Sequence, residues 1–353
     1  MADLRPSLQP TDYVDPAVYA DEVERALRSS WLPVCRVDQI GLAGDQFGVT
    51  LFGQPVVAVR DHEEIRVLAN VCAHRGSQLV DDGPGHSSTL VCPYHRWAYR
   101  LDGSFIGAPL AEGADLDEVC LPEVRHVVWE GFVLVNLSGD ASEPIDDLAG
   151  LADAIAPWKW GELVTVGQQR FESTWNWKVM VENWIECYHH LGTHRETVEV
   201  FQPARSTRLV PSGGDPWAAM TVETIEGVVG DPDTWIPGMP PDRSRDLSVW
   251  SAFPLLLGGS VSRYAFWLHV VPIDVTRHAV TWYLLAHPDR LAGFSPEAVT
   301  DYMEMLSDVH REDMVACQRV QAGLSSGLID RLRLTPLEAP IADFQRWLSS
   351  RLN

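Results

Sequence analysis

Two short pairs of cysteine and histidine constrain this chain more than any other feature. Cys72-Ala-His74 is followed, after 17 intervening residues, by Cys92-Pro-Tyr-His95. Two such pairs on separate loops let a chain hold a metal centre from opposite sides, because each loop supplies one thiolate and one imidazole. The sequence therefore predicts a small domain built around a metal centre near residues 72–95.

The residue types leave two kinds of metal centre open. One is a two-iron, two-sulfur cluster of the Rieske type, in which two histidines replace two cysteines on one iron, and the other is a structural zinc. Zinc fingers take both cysteines from one pair and both histidines from the other. Here each pair contains one cysteine and one histidine. The mixed pairs favour the cluster over zinc.

Turn signals at regular spacing surround these pairs. Gly53, Asp102-Gly103 and Glu130-Gly131 each separate two short runs rich in β-forming residues, as hairpin turns do. A small all-β domain is expected from this spacing. We predict that it spans residues 37–143, preceded by an N-terminal segment, 1–36, that packs on the domain that follows. The polar run 138–144 is the predicted linker.

The second half of the chain, 144–353, has longer periodic runs. Strands and helices alternate irregularly there, with Pro at the first position of the long helix as a start signal. The predicted elements are a strand over 163–175, a helix from Asn176, strands over 218–224, 247–253, 260–272 and 279–286, and a helix from Ser295 to near Gly323. This layout predicts an antiparallel sheet with helices packed on it, so the fold class is α+β.

A second metal-binding pattern lies in the segment 176–194. Glu186 and His189 are three residues apart and share a helix face. His194 lies five residues beyond His189, about 140° round an ideal helix, so one straight helix could not aim both at a single metal. Gly192 offers a place for the helix to end and turn. Two histidines and one carboxylate with open positions suit non-haem Fe(II) and oxygen, and the pattern leaves open which carboxylate takes part.

These two patterns resemble the ring-hydroxylating oxygenase family, and the resemblance covers nearly the whole chain. The motifs that carry it are Cys72-Ala-His-Arg-Gly and Cys92-Pro-Tyr-His-Arg-Trp. The family resemblance implies an N-terminal all-β Rieske domain followed by a helix-grip catalytic domain of antiparallel sheet plus helices. It implies that four residues bind a [2Fe–2S] cluster: Cys72, His74, Cys92 and His95.

The run 311–324 resembles the C-terminal helix of the family, where the aspartate matching Asp313 is the third ligand of a mononuclear Fe(2+). By the same resemblance His189 and His194 are its histidine ligands. His190 is expected to pack beside the site rather than bind iron. Glu312 is expected to be a solvated helix residue.

The resemblance also implies a route for electrons. Glu186 would link His189 to the cluster ligand His95 of a neighbouring subunit, which implies a homotrimer or a multiple of it. Most family members have Asp at this position, and Glu occurs in members that act on quaternary ammonium compounds. No Gly-x-Gly-x-x-Gly run follows a predicted strand. Electrons are therefore expected from a separate reductase carrying flavin and NAD(P)H, with or without a ferredoxin.

The expected function is the oxygenation of a small organic molecule with O2, by hydroxylation or demethylation. The pattern is nearest to the choline, betaine and carnitine monooxygenase branch, so a quaternary ammonium substrate is one alternative. An aromatic acid or a natural-product intermediate is another. Five tryptophans of the sheet-rich half are candidates for the pocket wall: Trp217, Trp235, Trp250, Trp267 and Trp282. An aromatic cage could bind an ammonium group through cation–π contacts.

Two rival classes of protein compete with an oxygenase. A non-catalytic electron-transfer or ligand-binding protein would need no mononuclear iron, yet the acid and two histidines for one are present. A zinc-stapled structural protein would not need the second pattern either. The oxygenase accounts for both patterns at once and is the preferred hypothesis.

Charge and composition exclude other classes of partner. The net charge of −22 argues against binding to nucleic acid or to anionic membranes. No apolar run approaches the roughly 20 residues of a membrane span, and the first 16 residues lack the apolar core of a signal peptide. Four further cysteines, Cys35, Cys120, Cys187 and Cys317, are expected to be plain buried thiols. A reducing compartment, the cytoplasm, is the expected location.

Overall fold

The computed structural model describes residues 4–139 and 145–352. They belong to two compact units, one combining Met1–Ser30 with Ser142–Asn353 and the other comprising Trp31–Ala141. The linker predicted at 138–144 lies outside the described residues from position 140 onward.

The unit Trp31–Ala141 is an all-β fold of small antiparallel sheets. The sheet orders are β4-β3-β2-β5, β6-β7-β8 and β1-β10-β9. The strands are β1 Leu32–Arg36, β2 Asp45–Leu51, β3 Gln54–Asp61, β4 Glu64–Ala69, β5 Gly83–His86, β6 Leu90–Val91, β7 Ala98–Tyr99, β8 Phe105–Gly107, β9 His126–Trp129 and β10 Phe132–Val135. The three predicted hairpins are confirmed as β2–β3, β7–β8 and β9–β10.

The core of this unit encloses the two cysteines of the first motif. Val57, Leu68 and Tyr99 are fully buried in one cluster with Cys72 and Cys92. Burial of the apolar strands therefore fixes where both thiols stand, because each cysteine is part of the packed core and not of a free loop.

The larger unit contains one seven-stranded antiparallel sheet with helices on it. The strand order is β11-β17-β16-β15-β14-β13-β12. The helices are α1 Pro16–Glu22, α2 Ala149–Ile155, α3 Trp177–Trp184, α4 Pro296–Leu324 and α5 Ala339–Leu352. The strands are β11 Val164–Ser173, β12 Thr207–Val210, β13 Trp217–Glu223, β14 Asp246–Ala252, β15 Leu256–Ser260, β16 Ala265–Asp274 and β17 Arg277–Ala286. The predicted α+β fold class is confirmed.

One predicted strand is wrong in its bounds. The run 260–272 was expected to be a single strand, but Ser260 ends β15 and β16 begins only at Ala265. Most of β15 was missed because Gly258 and Gly259 hide its pattern. A Cβ at Gly258 would lie 2.2 Å from Trp250 Cζ2, so the large side chains of neighbouring strands occupy the space above these glycines.

Helix α4 carries the predicted ligand Asp313 against the sheet. Ser295 caps its first turn by accepting a hydrogen bond from the Ala298 amide, and the helix packs on β11 and β17. A Cβ at Gly167 in β11 would lie 2.8 Å from Val299 Cγ1, so this glycine permits the close approach. Helix α3 also packs on α4. These contacts bring residues that are more than a hundred positions apart in the sequence to one place.

Buried polar contacts tie the N-terminal segment to α3. Lys178 Nζ lies 2.6 Å from Glu22 Oε1, and neither side chain is exposed. The Tyr13 hydroxyl donates to Glu182 Oε1 at 2.6 Å, and Gln345 Nε2 donates to the same oxygen at 2.9 Å. Each of these buried groups has a partner, as burial requires, since an uncompensated buried charge would be strongly destabilising.

Two further expectations concern the membrane and the thiols. None of the helices in the described ranges is both long and apolar enough to cross a membrane.

All six cysteines are free of disulfides. Cys35, Cys187 and Cys317 are buried as expected, but Cys120 is exposed, which corrects the prediction for that residue.

Candidate functional site

The two Cys/His pairs sit on loops with the same backbone design. In the first loop the Gly76 amide donates to the Cys72 carbonyl at 3.0 Å, and in the second the Arg96 amide donates to the Cys92 carbonyl at 3.0 Å. The fifth residue of each loop has a positive φ, 74° at Gly76 and 62° at Arg96. This left-handed position turns the chain back on itself and favours glycine. Each loop therefore begins at a cysteine in the packed core and carries its histidine further out, two or three residues along the chain.

The two histidines of these loops meet. The rings of His74 and His95 have centroids 4.7 Å apart, and His74 also stacks on Trp97 at 4.7 Å. His95 Nδ1 is buried and has no hydrogen-bond partner among the described residues. A buried imidazole nitrogen without a partner is costly unless it binds something, and a metal is a suitable acceptor of its lone pair.

The two cysteines lie deeper than the histidines. Cys72 is 2% exposed and Cys92 1%. Burial alone would raise the pKa of the Cys92 thiol, but backbone N–H groups of His95 and Tyr94 hold that pKa below its ordinary value. The Tyr99 hydroxyl lies 3.4 Å from Cys72 Sγ. Thiolates supported by N–H and O–H donors are what an iron–sulfur cluster requires.

The donor types of this first set fit a cluster better than a single ion. Each loop contributes one cysteine and one histidine, both thiols are buried and the two imidazole rings meet. A Rieske cluster needs two thiolates on one iron and two imidazoles on the other. The residues present therefore fit a [2Fe–2S] cluster better than a tetrahedral zinc.

The compact group of three is His189, His194 and Asp313. One ligand atom from each lies within 4.8 Å of the others. His194 Nε2 lies 2.9 Å from Asp313 Oδ1, and His189 Nε2 lies 3.6 Å from the same oxygen. His189 and His194 follow α3 on either side of Gly192, while Asp313 comes from α4. The predicted helix is shorter than expected, because α3 ends at Trp184, Glu186 lies outside a helix and His189 lies on a short 3-10 helix, Tyr188–Leu191, that ends at Gly192. Glu186 and His189 therefore do not share a helix face, and the turn at Gly192 brings the two histidines together.

A glutamate orients each of the two histidines. His189 Nδ1 lies 2.7 Å from Glu186 Oε1, and His194 Nδ1 lies 2.6 Å from Glu312 Oε2. A carboxylate accepts a hydrogen bond from Nδ1–H, so the lone pair of a neutral ring is left on Nε2. Both Nε2 atoms face Asp313. This arrangement fits a divalent metal ion held by two imidazoles and one carboxylate.

The third member of the group, Asp313, is itself held in place. Asn183 Nδ2 donates to Asp313 Oδ1 at 3.0 Å. Burial would raise the pKa of Asp313, but the hydrogen bond from His194 holds it below its ordinary value. Burial would likewise lower the pKa of His194, and the contact with Asp313 raises it. The two histidines and Asn183 are therefore grouped around the negative charge of the Asp313 carboxylate.

Two residues beside this group, Glu312 and Asn183, have contacts that the sequence did not predict. Glu312 is not a simple solvated residue, because it accepts hydrogen bonds from His194 Nδ1 and from Thr197 Oγ1 at 2.7 Å. Asn183 was missed altogether; its position three residues before Glu186, near the end of α3, was the available signal. His190 packs beside the group as expected, with its Nδ1 3.2 Å from the Gln202 carbonyl, and burial lowers its pKa to about 3.

A cavity of about 640 Å³ opens onto this group. Its wall includes His189, His194 and Asp313 at one place and mostly apolar side chains elsewhere. Such a volume is in the range of sites for small organic molecules. A metal ion held by this group at the wall of an apolar cavity could act on a bound substrate in a site from which most water is excluded.

The aromatic wall differs from the prediction. Of the five candidate tryptophans Trp282 lines the cavity, and Trp184 of α3, which is not one of the five, lines it as well. The others serve the fold: Trp267, for example, stacks on Tyr283 with centroids 4.7 Å apart. Successive side chains of a strand point to opposite faces of the sheet, so only some tryptophans of the sheet can face the cavity.

Comparisons with known proteins find oxygenase subunits among the relatives of this chain. The chain is 37% identical over 194 residues to the glycine betaine monooxygenase oxygenase subunit of Chromohalobacter salexigens, covering 54% of this chain and 43% of that protein. It is 32% identical over 183 residues to the carnitine monooxygenase oxygenase subunit of Escherichia coli, covering 50% of this chain and 49% of that protein. These matches span about half the length of the curated relatives.

A more extended match is the chloroplastic choline monooxygenase of Spinacia oleracea, which is 27% identical over 96% of this chain and 77% of that protein. Among solved structures, a quaternary ammonium Rieske monooxygenase in complex with an inhibitor superposes with a TM-score of 0.85 at 22% identity, over 99% of this chain and 96% of that one. Naphthalene 1,2-dioxygenase of Rhodococcus gives a TM-score of 0.79 at 20% identity, over 97% and 94%. These structures share the fold.

Two family models match the chain directly. Residues 30–123 match the Rieske [2Fe–2S] domain. Residues 160–353 match the ring hydroxylating alpha subunit, catalytic domain. The two domains imply a Rieske [2Fe–2S] cluster and a mononuclear iron as cofactors. The paired Cys/His loops, the His/His/Asp group at an apolar cavity and a family match over more than half of its length together establish that this chain belongs to the ring-hydroxylating alpha-subunit family.

Proposed function

We propose that this chain is the oxygenase component of a multicomponent Rieske non-haem iron oxygenase. The reaction consumes a substrate C–H bond, O2, two electrons and two protons, and yields a C–OH group and water. If the hydroxylated carbon is an N- or O-methyl group, it leaves as formaldehyde, so hydroxylation and demethylation share one chemistry. The observation that carries the proposal is the group His189, His194 and Asp313 with ligand atoms within 4.8 Å at the wall of an apolar cavity.

In this proposal His189, His194 and Asp313 hold Fe(2+). Iron bound there supplies the chemistry that activates oxygen, and three protein ligands leave coordination positions open for it. The chain's own residues set the geometry: Glu186 and Glu312 fix the ring orientation of the two histidines, and Asn183 holds the carboxylate. Such outer partners tune metal affinity strongly.

Cys72, Cys92, His74 and His95 hold the [2Fe–2S] cluster in the same proposal. Neutral imidazoles on one iron reduce the negative charge of the cluster and raise its reduction potential relative to an all-cysteine cluster. A cluster held by these four residues would store one electron for the catalytic iron. The unpartnered Nδ1 of His95 supports its assignment as a ligand.

We propose that electrons cross between subunits, with Glu186 as the bridge. Its contact with His189 Nδ1 at 2.7 Å is one half of that bridge; His95 of a neighbouring subunit would make the other half. The surface beside His189 supports a second copy, since Tyr188, Leu191 and Val315 are 43%, 52% and 49% exposed there. Apolar side chains grouped on a surface favour contact with another protein. A homotrimer, or a multiple of it, closes such a head-to-tail ring.

The remaining parts of the proposal concern the partners and the domains. A separate reductase carrying flavin and NAD(P)H, directly or through a ferredoxin, would reduce the cluster. A cytoplasmic location suits six cysteines without disulfides. We propose an N-terminal segment, a Rieske domain and a catalytic domain, with the first boundary near residue 30 and not at the predicted residue 36, because β1 Leu32–Arg36 pairs with β10 of the all-β unit.

For the substrate we propose a compound with an ammonium group as the more specific alternative. The named relatives act on glycine betaine, carnitine and choline. The cavity wall supports this with the aromatic rings of Trp184, Phe266 and Trp282, which attract cations over their faces. A non-catalytic electron-transfer protein remains the rival of another class.

Metal and sulfide analysis of anaerobically purified protein tests the proposal. About three irons and two acid-labile sulfides per chain, with a Rieske electron paramagnetic resonance signal after dithionite reduction, are expected. Zinc in place of the cluster, or two irons without the third, would contradict it. Oxygen uptake and formaldehyde release with candidate amines then separate demethylation from hydroxylation.

A further inference from the structure

The cavity is larger than a small ammonium osmolyte needs. Its volume of about 640 Å³ lies in the middle of the range that holds drug-sized ligands. A molecule as small as choline or betaine would leave most of it to water, and a cation–π cage requires ring faces close to the cation on several sides. The volume points to a ligand with an extended body.

The wall offers that body apolar surface and few hydrogen-bond donors. Trp184, Phe266 and Trp282 form a continuous aromatic surface, with centroids 6.0 Å apart for Trp184–Phe266 and 5.6 Å for Phe266–Trp282. The Trp184 indole N–H is already used, since it donates to the Trp250 carbonyl at 3.0 Å. The aliphatic residues Val249 and Leu306 continue the wall. An aromatic or aliphatic body would pack on this surface.

The fixed charges of the wall are negative. Beyond the metal-binding group and Glu186, two carboxylates line the cavity, those of Glu196 and Asp308, and both residues are solvent-exposed. Among the residues that line it in the described ranges, none is lysine or arginine. Asp308 is paired with Arg311 at 2.5 Å, whereas Glu196 has no ion-pair partner among the described residues. A ligand carboxylate in this cavity would meet like charges and no lysine or arginine.

We propose that the cavity binds an organic cation with an extended apolar body and no carboxylate. The ammonium group lies near Glu196 at the exposed side of the cavity, and the body lies along Trp184, Phe266 and Trp282. This inference rests on the proposed function, because it names the substrate class of the same iron site. It separates the chain from relatives named for glycine betaine and carnitine, both of which carry a carboxylate.

Ligand binding to the iron-loaded protein tests this without turnover. The probes are (3-phenylpropyl)trimethylammonium, its neutral isostere with a tert-butyl group, and the betaine in which a carboxymethyl group replaces one N-methyl. Binding is measured by calorimetry and by quenching of tryptophan fluorescence. The cation is expected to bind about tenfold tighter than either other probe, because the neutral probe has no charge for Glu196 to attract and the carboxylate of the betaine probe is repelled by the negative wall.

Variants identify the group that recognises the charge. Glu196→Gln is expected to weaken binding of the cation about fivefold and to leave the neutral probe unchanged, because only an ionic contact is lost. Glu304→Gln, on the exposed side of α4 and outside the cavity wall, should change neither. Unchanged binding of the neutral probe also shows that the variant is folded.

The possible outcomes distinguish failure of the substrate inference from failure of the proposed function. Binding of the betaine probe or the neutral probe as tightly as the cation, or no binding of the cation, would overturn the inference while the iron content of the same sample still supports an oxygenase. A protein without mononuclear iron would instead overturn the proposed function. If Glu196→Gln and Glu304→Gln bind the cation equally well, Glu196 does not recognise the cation and that part of the inference is overturned.

Discussion

The carboxylate of Glu312 lies 2.6 Å from Nδ1 of His194. The same relation holds between Glu186 and His189, at 2.7 Å. The pairs differ in origin: Glu186 precedes His189 by three residues, whereas Glu312 reaches His194 from α4, 118 positions away. Each candidate histidine ligand thus has its own acidic partner, one local and one long-range.

Replacing Glu312 should weaken the binding of mononuclear iron. Glu312→Ala removes the acceptor of His194 Nδ1, so we expect iron affinity at that site to fall about 10- to 100-fold while the cluster is retained. Glu312→Gln, whose amide oxygen can still accept a hydrogen bond, should retain part of the affinity. Competition with a chelator, with sulfide content as the control for the cluster, measures both. Unchanged affinity in the alanine variant would exclude this role.

Replacing Asp313 should remove the mononuclear iron alone. In Asp313→Ala the red-brown cluster should remain, iron should fall from about three to about two per chain, and turnover should be lost. The cluster is expected to survive because its candidate ligands lie in the other compact unit. Iron and sulfide analysis checks the stoichiometry. Retained turnover would show that Asp313 is not a ligand of the iron.

Replacing Glu186 should separate metal binding from electron transfer. Glu186→Gln should leave both metals bound, because the amide can still accept from His189, yet slow oxidation of the reduced cluster by roughly tenfold or more. Stopped-flow measurement of cluster reoxidation in a single turnover follows this step directly. Glu186→Asp, the side chain found in most of the family, should restore part of the rate. A normal rate in the glutamine variant would rule out the bridge.

Removing one hydroxyl should shift the potential of the cluster. The Tyr99 hydroxyl lies 3.4 Å from Cys72 Sγ, and a hydrogen bond to sulfur stabilises the more negative, reduced state. Tyr99→Phe should lower the reduction potential by about 40 mV, the equivalent of a hydrogen bond of about 1 kcal/mol for one electron. Protein-film voltammetry or a redox titration measures it. Phe105→Leu, which alters packing beside Tyr99 without touching the hydroxyl, serves as the control.

Glu182 should make stability depend on pH. Burial raises its pKa from 4.5 to about 7, against the hydrogen bonds from Tyr13 and Gln345. The folded state therefore holds this proton more tightly than the unfolded state, so its contribution to stability is complete below about pH 4.5 and is lost as the pH rises to about 7.

Glu182→Gln removes that titration. Relative to the unmodified protein, we expect the variant to gain about 2 kcal/mol in the free energy of unfolding between pH 4.5 and pH 8, since one pKa unit corresponds to about 1.4 kcal/mol and the side chain is only partly buried. Denaturant unfolding at several pH values measures the difference. Glu304→Gln, on an exposed helix surface, should show no such slope, and a parallel pH profile for Glu182→Gln would contradict the prediction.

Local sequence determined the features that depend on short spacing. The cluster loops were predictable because the Cys and His of each pair are two or three residues apart, and their turns need residues such as Gly76 that accept a positive φ. The hairpins followed from their turn residues. A turn at Gly192 was predictable because His189 and His194 could not face one metal from one straight helix, although the helix itself ends earlier than expected, at Trp184. Asp313 came from family resemblance and not from spacing.

Tertiary structure alone decided the contacts between distant elements. Glu312 was expected to be solvated because its position on α4 says nothing about the loop that packs against it. Trp184 was not among the candidate tryptophans, and only the tertiary position of α3 places it on the cavity wall. Strand β15 was hidden because its two glycines make room for Trp250 and Phe266 of other strands. Periodicity reports which face of an element is apolar, but the neighbour that covers that face is chosen by packing across the whole chain.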